Sequence, residues 1–498
     1  MIPYISHQLL PDQPFVISPI FRRCFPVPWR GLPEEHRHTR PAQYSPLQVG
    51  SDPCYSSRGY GGAPTLVIPL LIFIATLILI LWRPRGIREA WFAAAGAIAM
   101  LLAGAVDGGD VRDLAVETAP VLVFLAGMLV VGYAADRAGV FVWLARHTAR
   151  LSGGSGRRLF VGLYAVGVVV TVWFSLDTTA VILAPIVYSL VQALGLPPLP
   201  FVLATTYVAN TASLLLPVSN LTNLIVWNRF HIPFWGFAAA MALPALAAIA
   251  VNLLLFLWLF RRDIPSRFPV DALDSTAEAA AASDPAARAS AQRLLAECLI
   301  ILVLLLAGIA AAPFFGWELW QVAVAGAVVL AVHGAIRGYV HPRELAGGIS
   351  WDLMPFVFSL FLVLRGVGNS GLTEVFSSVL ADEGAGGSFW GLLVIAATTA
   401  LGSNLINNLP MVLVAADSLT APVASGQVSL ASVYAALLGT NLGPNLTVIG
   451  SLATMLALSI IGSKGMRVSG VQYLKVGAVT VPLLLLGSVL GLWLALRG

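Results

Sequence analysis

Amide, hydroxyl and carboxyl side chains interrupt two otherwise apolar stretches of this chain, residues 172–226 and residues 389–461. In hydrocarbon an unsatisfied polar group is costly, so such residues face a partner, a cavity or a transported ligand. We therefore predict that they bind a substrate or an ion. The predicted binding residues are Asp177, Thr178, Thr179, Asn210, Ser213, Ser219, Asn220 and Asn223 in the first stretch, and Asn404, Asn407, Asn408, Thr440, Asn441, Asn445, Thr447 and Ser451 in the second.

Asp177 is the one carboxylate within the motifs of the first stretch. A carboxylate in a low-dielectric site favours its protonated form and can take up and release a proton during a transport cycle. Asp177 is therefore the predicted coupling residue. The alternative is that Asp177 only caps the helix that starts at Thr178, and the two roles are compatible.

The asparagines and serines also allow two interpretations. They can hold helices together through interhelical hydrogen bonds, or they can bind a solute where helices are broken. Matching polar clusters in both stretches favour binding. A broken helix presents free N–H groups at one end and free carbonyls at the other, which suit oxygen-rich solutes and cations respectively.

The composition places these motifs in a membrane protein. Of 498 residues, 58% are hydrophobic and only 10% are charged. Soluble domains carry roughly 25% charged residues. The apolar runs are continuous, which predicts an all-α polytopic protein and argues against a β-barrel. The net charge of +4 reflects arginines in short loops, so no nucleic-acid partner is expected.

The chain divides into four predicted segments. Residues 1–62 are rich in proline and polar residues and predict a disordered tail. Residues 63–260 and 294–498 each predict about five membrane spans, and the hydrophilic residues 261–293 predict a cytoplasmic linker between them. Arginine-rich loops, including residues 136–158, are assigned to the cytoplasm. The expected location is the cell membrane.

Each half is also predicted to contain one re-entrant hairpin and one interrupted helix, because polar residues interrupt its apolar runs. The hairpins are predicted over 159–192 and 389–422, with arms of ten to fifteen residues, and the interrupted helices over 199–227 and 432–461. Asp177 and Asn407 lie 230 residues apart, and Asn210 and Asn441 lie 231 apart. The loop at 367–388 lacks the basic residues of its counterpart, which predicts inverted repeats.

Other chemistry finds little support in the sequence. There is no GxxxxGK[ST] phosphate-binding loop, no CxxC motif and no Ser/His arrangement near the polar clusters. We therefore expect no cofactor, no metal site and no catalytic residue. Arg365 and Asp417 lie near predicted span ends, which indicates snorkelling to the membrane surface.

The motifs carry a family resemblance. NTASLLLPVSNLTNLI (210–225), GTNLGPNLTVIGSLAT (439–454), SLDTTAVILAPIV (175–187) and NNLPMVL (407–413) resemble the signature blocks of the arsenite permease family. The family is also called arsenical pump membrane protein, within the wider superfamily that includes sodium:dicarboxylate symporters. The resemblance covers residues 64 to the end.

The resemblance implies an inverted-repeat secondary transporter that exports arsenite or antimonite, by proton antiport. Its implied partners are the inorganic solute, a coupling ion, membrane lipid, an ATPase subunit in some members, and a second copy of the chain as a homodimer. Two alternatives stay open. One is a sodium-coupled dicarboxylate or anion symporter, or a sodium/proton antiporter, of the same superfamily. The other is a membrane enzyme or receptor that transports nothing.

Overall fold

The computed structural model describes residues 64–82, 84, 87–269, 285–369, 380 and 387–497. The predicted tail and the middle of the predicted linker lie outside the described residues. Within the described ranges the chain is helical and has no strand, which confirms the predicted all-α class. The first nine helices are α1 Pro64–Trp82, α2 Glu89–Leu102, α3 Gly108–Arg137, α4 Val140–Leu151, α5 Gly156–Phe174, α6 Ala184–Ala193, α7 Pro198–Ala212, α8 Leu221–Arg229 and α9 Phe234–Leu259. The other nine are α10 Pro285–Phe315, α11 Leu319–Arg337, α12 Pro342–Gly348, α13 Leu353–Asn369, α14 Phe389–Ile406, α15 Asn408–Ala424, α16 Leu430–Leu442, α17 Leu452–Ser463 and α18 Gly470–Ala495.

Capping residues fix where several of the long helices begin. Asp107 accepts a hydrogen bond from the Asp110 backbone N–H at 2.9 Å, and the Asp110 carboxylate accepts one from the Asp107 N–H at 3.1 Å. Ser469 and Gln472 form the same reciprocal pair at the start of α18. These bonds satisfy backbone donors that no helical carbonyl can reach. Polar residues thus set the first turn, and the apolar run that follows sets the span.

Seven helices are long and apolar enough to cross a membrane, which agrees with the predicted multi-pass class. They are Gly108–Arg137, Gly156–Phe174, Phe234–Leu259, Ala289–Phe315, Leu319–Arg337, Phe389–Ile406 and Gly470–Ala495. Six shorter apolar helices accompany them. Two of the seven are α5 and α14, the first arms of the predicted hairpins, which are therefore longer than the ten to fifteen residues expected.

The helices of the two sequence halves pack against one another throughout the bundle. Helix α3 packs on α11, α2 packs on α13, and α9 packs on α18. Within the second half, α14 packs closely on α16, where Gly439 and Gly443 face the backbone of Ala396 and Ala400. A Cβ at either glycine would meet backbone atoms, so the close approach of these two helices depends on the missing side chain.

Both predicted hairpins turn at a residue with positive φ. Helix α5 ends at Phe174 and the chain reverses at Ser175 (φ 132°, ψ 162°) before a π-helical turn, Thr178–Leu183, leads into α6. Helix α14 ends at Ile406 and the chain reverses at Asn407 (φ 75°, ψ 158°) before α15. This backbone region is almost reserved for glycine, and holding another residue there costs about 1–3 kcal/mol.

The turns revise one predicted correspondence between the halves. Ser175 and Asn407 occupy the same place in the two hairpins and lie 232 residues apart, whereas the sequence alignment paired Asp177 with Asn407. The difference arises because local sequence similarity cannot locate a two-residue shift at a turn. Asp177 therefore lies just inside the second arm of its hairpin, past the turn.

Both predicted interruptions are present. Helix α7 ends at Ala212, a short 3-10 turn covers Pro217–Ser219, and α8 begins at Leu221. Helix α16 ends at Leu442, two 3-10 turns follow, and α17 begins at Leu452. Pro217 and Pro444 contribute to these breaks, since proline lacks an N–H and cannot continue a helical ladder.

Two segments predicted to be irregular are helical. Helix α4, Val140–Leu151, lies within the predicted loop 136–158 and buries Val140, Phe141, Ala145 and Ala149. Its apolar residues recur on one face, whereas its arginines lie on the other. Helix α10 begins at Pro285, inside the predicted linker, because an alanine-rich segment favours helix.

Helices α5 and α9 are joined at two levels. Near the middle of the pair, the Tyr164 hydroxyl donates to the Ile249 carbonyl at 3.0 Å and accepts from Asn252 Nδ2 at 3.0 Å. At the start of α5, the Gly156 N–H donates to the Ser266 carbonyl, and the Phe268 N–H donates to the Gly154 carbonyl at 2.9 Å. The first hairpin therefore shares a fixed base with the end of α9.

Candidate functional site

The first hairpin tip, residues 175–179, is built from short polar side chains. The Ser175 hydroxyl accepts a hydrogen bond from the Thr178 backbone N–H at 3.3 Å. Thr179 Oγ1 lies 2.8 Å from Thr171 Oγ1 on α5, which closes the hairpin from inside. Thr178 and Thr179 thus hold the shape of the tip.

Asp177 is partly buried and makes no capping hydrogen bond, so the predicted alternative that it only caps a helix is wrong. Ser175 performs that role, because its hydroxyl is one turn before the free Thr178 N–H. Among the described residues, no hydrogen bond or ion pair reaches the Asp177 carboxylate. Its neighbours Leu176 and Ala180 pack on Ala209 of α7 and on Ala453 of α17. The start of the second hairpin arm therefore lies beside both discontinuous helices.

Five asparagines from the two interruptions form a buried hydrogen-bonded cluster, which we call the amide network: Asn210, Asn220, Asn223, Asn441 and Asn445. Within it, Asn441 is fully paired. Its Oδ1 accepts from Thr222 Oγ1 at 2.6 Å and from Asn220 Nδ2 at 3.2 Å, and its Nδ2 donates to Asn223 Oδ1 at 2.7 Å. Asn441 thus ties the second half of the chain to the first interruption.

Asn210, which the sequence pairs with Asn441 as its repeat counterpart, lies on α7 and is only half paired. Its Nδ2 donates to Asn445 Oδ1 at 2.9 Å and to Thr454 Oγ1 at 3.3 Å. Its Oδ1 is buried and has no hydrogen-bond partner among the described residues. Because a buried carbonyl without a partner is costly, this oxygen is available to a hydroxyl or ammonium donor.

The second hairpin tip is held to the second interruption by two asparagines. Asn404 Oδ1 accepts from Thr447 Oγ1 at 2.6 Å and from the Thr447 N–H at 3.1 Å, while its Nδ2 donates to the Gly443 carbonyl at 2.8 Å. Asn407 Nδ2 donates to the Ile449 carbonyl at 3.1 Å. These bonds satisfy carbonyls that the broken helix leaves free.

Several predicted binding residues instead bond to nearby backbone. Ser213 Oγ donates to the Asn210 carbonyl at 2.9 Å, and Ser219 Oγ donates to the Val172 carbonyl of α5 at 2.7 Å. Thr440 Oγ1 donates to the Leu437 carbonyl within its own helix. Asn408 and Ser451 are buried at the starts of α15 and α17. The structure places all of these residues at the hairpin tips or the interruptions, but not all face one another.

Four threonines that the sequence reading missed belong to the same region. Thr171 bonds to Thr179, Thr222 to Asn441, and Thr454 to Asn210, and Thr211 Oγ1 accepts from Asn445 Nδ2 at 3.2 Å. A threonine inside a helix commonly bonds back to its own preceding turn, so its presence carries no signal of a distant partner. The sequence indicated these threonines only through their positions in or near the polar motifs.

A cluster of charged side chains corrects another prediction. Arg365 and Asp417 do not simply snorkel, because both belong to a chain of ion pairs. Glu117 of α3 contacts Arg229 at 2.8 Å and Arg365 of α13 at 3.3 Å, and Arg229 contacts Asp417 of α15 at 3.4 Å. We call Glu117, Arg229, Arg365 and Asp417 the charge cluster. It joins α8 and α15 to the span α3.

The chemistry of the site is that of neutral hydrogen bonding beside one carboxylate. No group of three or more His, Cys, Asp or Glu residues that could hold a metal occurs in the part of the chain that the structure describes. Asp177 is the one charged side chain in the tips, the interruptions and the amide network. Among the described residues, the buried Asn210 Oδ1 and the Asp177 carboxylate are acceptors of this site that have no hydrogen-bond partner.

Comparison with known proteins places this arrangement in a family. Residues 68–496 match the family described as Arsenical pump membrane protein. The Arsenical pump membrane protein of Escherichia coli (strain K12) is 35% identical over 418 residues, which cover 83% of this chain and 95% of that protein. That of Yersinia enterocolitica is 35% identical over 420 residues, with coverage of 83% and 95%.

Among solved structures, the YdaH transporter of Alcanivorax borkumensis aligns with a TM-score of 0.49 and 17% identity, over 86% of this chain and 98% of that chain. The assignment rests on the sequence matches, which span nearly all of the described residues. The chain belongs to the Arsenical pump membrane protein family.

Proposed function

We propose that this protein is a secondary transporter that exports arsenite or antimonite across the cell membrane and is driven by inward movement of protons. The names of its relatives support an arsenical solute. At neutral pH arsenite is a neutral trihydroxy solute, whose hydroxyl groups donate and accept hydrogen bonds. Such a solute suits amides and hydroxyls and needs no charged partner.

The observation that carries the proposal is the charge of the site. Its one charged side chain is Asp177, which is negative when ionised. A dicarboxylate next to an ionised carboxylate would be repelled strongly at low dielectric, and the site offers no arginine or lysine to offset this. A neutral solute with hydroxyl donors meets no such barrier. The site therefore favours metalloid hydroxide over dicarboxylate.

Asp177 is proposed to couple this transport to protons. A carboxylate that is surrounded by apolar side chains and has no fixed partner can exist in both protonation states as its surroundings change during a cycle. Protonation from outside and release to the cytoplasm would drive the solute outward. Inverted repeats, with the two hairpin tips approaching from opposite faces, are proposed as the scaffold for this movement.

The test measures arsenite uptake into everted membrane vesicles that carry an imposed pH gradient. We expect Asp177→Asn to lose the gradient-dependent part of uptake, because asparagine cannot exchange a proton, while residual downhill flux remains. Asp113→Asn is the matched control, since Asp113 is exposed on α3 outside the site. Uptake by Asp177→Asn that still follows the pH gradient would disprove the coupling role.

The substrate is tested separately in arsenite-sensitive cells. Expression of the chain should lower accumulated arsenite and antimonite relative to cells that carry an empty vector. If accumulation is unchanged and vesicles instead show sodium-dependent uptake of a labelled dicarboxylate, the protein is a symporter of the same superfamily and the proposed substrate is wrong.

A further inference from the structure

A cavity of about 420 Å³ lies at the base of the first hairpin, well away from the amide network in sequence. The loop before α5 and the segment after α9 form it together. Its lining residues are Gly153, Gly154, Ser155, Arg158, Ser266, Arg267 and Phe268. The transport proposal uses none of them.

Backbone hydrogen bonds hold the two sides of this cavity together. The Phe268 N–H donates to the Gly154 carbonyl at 2.9 Å, and the Gly156 N–H donates to the Ser266 carbonyl at 3.4 Å. Phe268 is buried, which anchors the end of the second segment in the core. Gly156 faces the Pro265 carbonyl so closely that a Cβ there would clash with it. The cavity thus has fixed walls.

The lining is positively charged and offers hydroxyl groups. Arg158 and Arg267 contribute two guanidinium groups, Ser155 and Ser266 contribute two hydroxyls, and no acidic residue lines the cavity. Neither arginine forms an ion pair with another residue in the described part of the chain. The N-terminal end of α5 lies beside them and adds to the positive potential.

The surrounding residues place the cavity at the depth of lipid headgroups. Helix α9 is long enough to span a membrane, and its last turn exposes Trp258 with the Arg261 guanidinium 5.6 Å from the ring centre. Tryptophan and arginine at a span end are typical of the membrane surface. Trp143 and Leu151 of α4, the helix that precedes the cavity loop, are also exposed. The arginine distribution assigns this face to the cytoplasm.

We propose that this cavity binds the phosphate group of an anionic glycerophospholipid in the cytoplasmic leaflet. A guanidinium group can donate two parallel hydrogen bonds to the oxygens of one phosphate. The serine hydroxyls can donate to the remaining phosphate oxygens. The volume fits a headgroup with its glycerol, while the acyl chains extend along α4 and α9 into the bilayer. Anionic lipids are concentrated in the leaflet that this face contacts. The bound lipid would brace the joint between the first hairpin and α9.

The test uses the purified full chain, stripped of lipid in detergent, and measures binding of phosphatidylglycerol and phosphatidylcholine by native mass spectrometry. We expect one phosphatidylglycerol to be retained in preference to phosphatidylcholine. The double variant Arg158→Gln/Arg267→Gln should bind phosphatidylglycerol about tenfold more weakly, since hydrogen bonds to charged groups are lost. Arg157→Gln is the matched control, because Arg157 is exposed on the same turn but does not line the cavity.

Three results would overturn the proposal. Equal binding of the two lipids by the native chain would exclude a site for anionic headgroups, whether or not the double variant folds. Equal weakening in Arg157→Gln would show diffuse surface attraction instead of a built site. Complete displacement of phosphatidylglycerol by inorganic phosphate at similar concentration would show that the ligand is free phosphate and that the lipid plays no part.

Discussion

At the scale of single residues, Asn210 on α7 and Asn441 on α16 differ in their hydrogen bonding. Asn441 forms hydrogen bonds within the protein through both Oδ1 and Nδ2, whereas Asn210 keeps a buried carbonyl oxygen free. The first pattern is that of a structural joint, and the second leaves a buried acceptor without a partner, which agrees with the proposed binding role. The chemistry of the site therefore concentrates in the first half, where Asp177 also lies.

This difference predicts unequal stability effects. Asn441→Ala leaves two donors and one acceptor unpaired, on Asn220, Thr222 and Asn223, and should destabilise the protein by about 2 kcal/mol or more. Asn210→Ala removes two hydrogen bonds, to Asn445 Oδ1 and Thr454 Oγ1, together with an oxygen that has no partner, and should cost less. Thermal unfolding of both variants in detergent measures this. A larger loss in Asn210→Ala would contradict the assigned roles.

The sequence located most of these residues but not their partners. Asparagines within apolar sequence indicated Asn210, Asn220 and Asn441 directly, because such residues need a reason to be there. The sequence could not show that Asn441 meets Thr222, since a contact between residues 219 positions apart leaves no local pattern. Arg365 was misread for the same reason, because its partner Glu117 is 248 positions away.

At the scale of helices, the close approach of α14 and α16 positions the second interruption. Gly439 permits this approach, because a Cβ there would meet the Ala396 backbone and the Thr399 side chain. The hairpin and interrupted helix of the second half are thus packed through backbone contact. Asn404, on α14, then reaches both Gly443 and Thr447 beyond the break.

We expect Gly439→Ala to separate these helices and to destabilise the protein by about 1–3 kcal/mol, the usual cost of overpacking. Gly462→Ala is a matched control, because Gly462 is helical and nothing lies near its missing Cβ. That variant should gain up to about 1 kcal/mol from helix propensity. Thermal unfolding and arsenite flux measure both effects. A stabilised Gly439→Ala would show that the contact is dispensable.

The break in the first interrupted helix was predictable because Pro217 marks it, whereas the helix start at Asp107 was not predicted, since the acidic residues there indicated a loop. The two-residue shift between the hairpins was not predictable, since it depends on where the backbone reverses, and Ser175 and Asn407 are unrelated in type. The sequence predicts a loop at α4, because its arginines are more prominent than the few apolar residues on its buried face. The arginines of this segment assign it to the cytoplasm, which stays a prediction, and the same arginines concealed the helix.

At the scale of the whole molecule, the charge cluster connects helices from both halves of the chain. These helices are α3, α8, α13 and α15. Arg229 follows the first interruption, and Asp417 lies in the second arm of the second hairpin. Both are bound through Glu117 to α3, and Glu117 also binds Arg365 of α13. The side chains are partly exposed, so each pair alone is expected to contribute little. We expect the four side chains to stabilise the protein mainly as a network, because Glu117 and Arg229 each contact two of the others.

A double-mutant cycle on Glu117→Gln and Arg229→Gln tests this cooperation. We expect the two changes to be non-additive by about 0.5–1 kcal/mol, because each leaves the other's partner without its charge. The pair Arg88 and Asp352, at 3.6 Å with Arg88 70% exposed, is the comparison and should show almost no coupling. Additive effects in the cycle would show that the cluster has no collective role.

The two ties between α5 and α9 have a mechanical consequence. The Tyr164 hydroxyl fixes these helices midway, and the backbone bonds at Gly156 and Phe268 fix them at the base, so α5 cannot slide or tilt independently. Helices α5 and α9 therefore behave as one strut. Any displacement of the first hairpin tip relative to this strut must bend the chain at Ser175, where the backbone already departs from ordinary conformations. The Asp177 carboxylate lies just beyond that pivot, so it would move together with the second arm of the hairpin whenever the chain bends there.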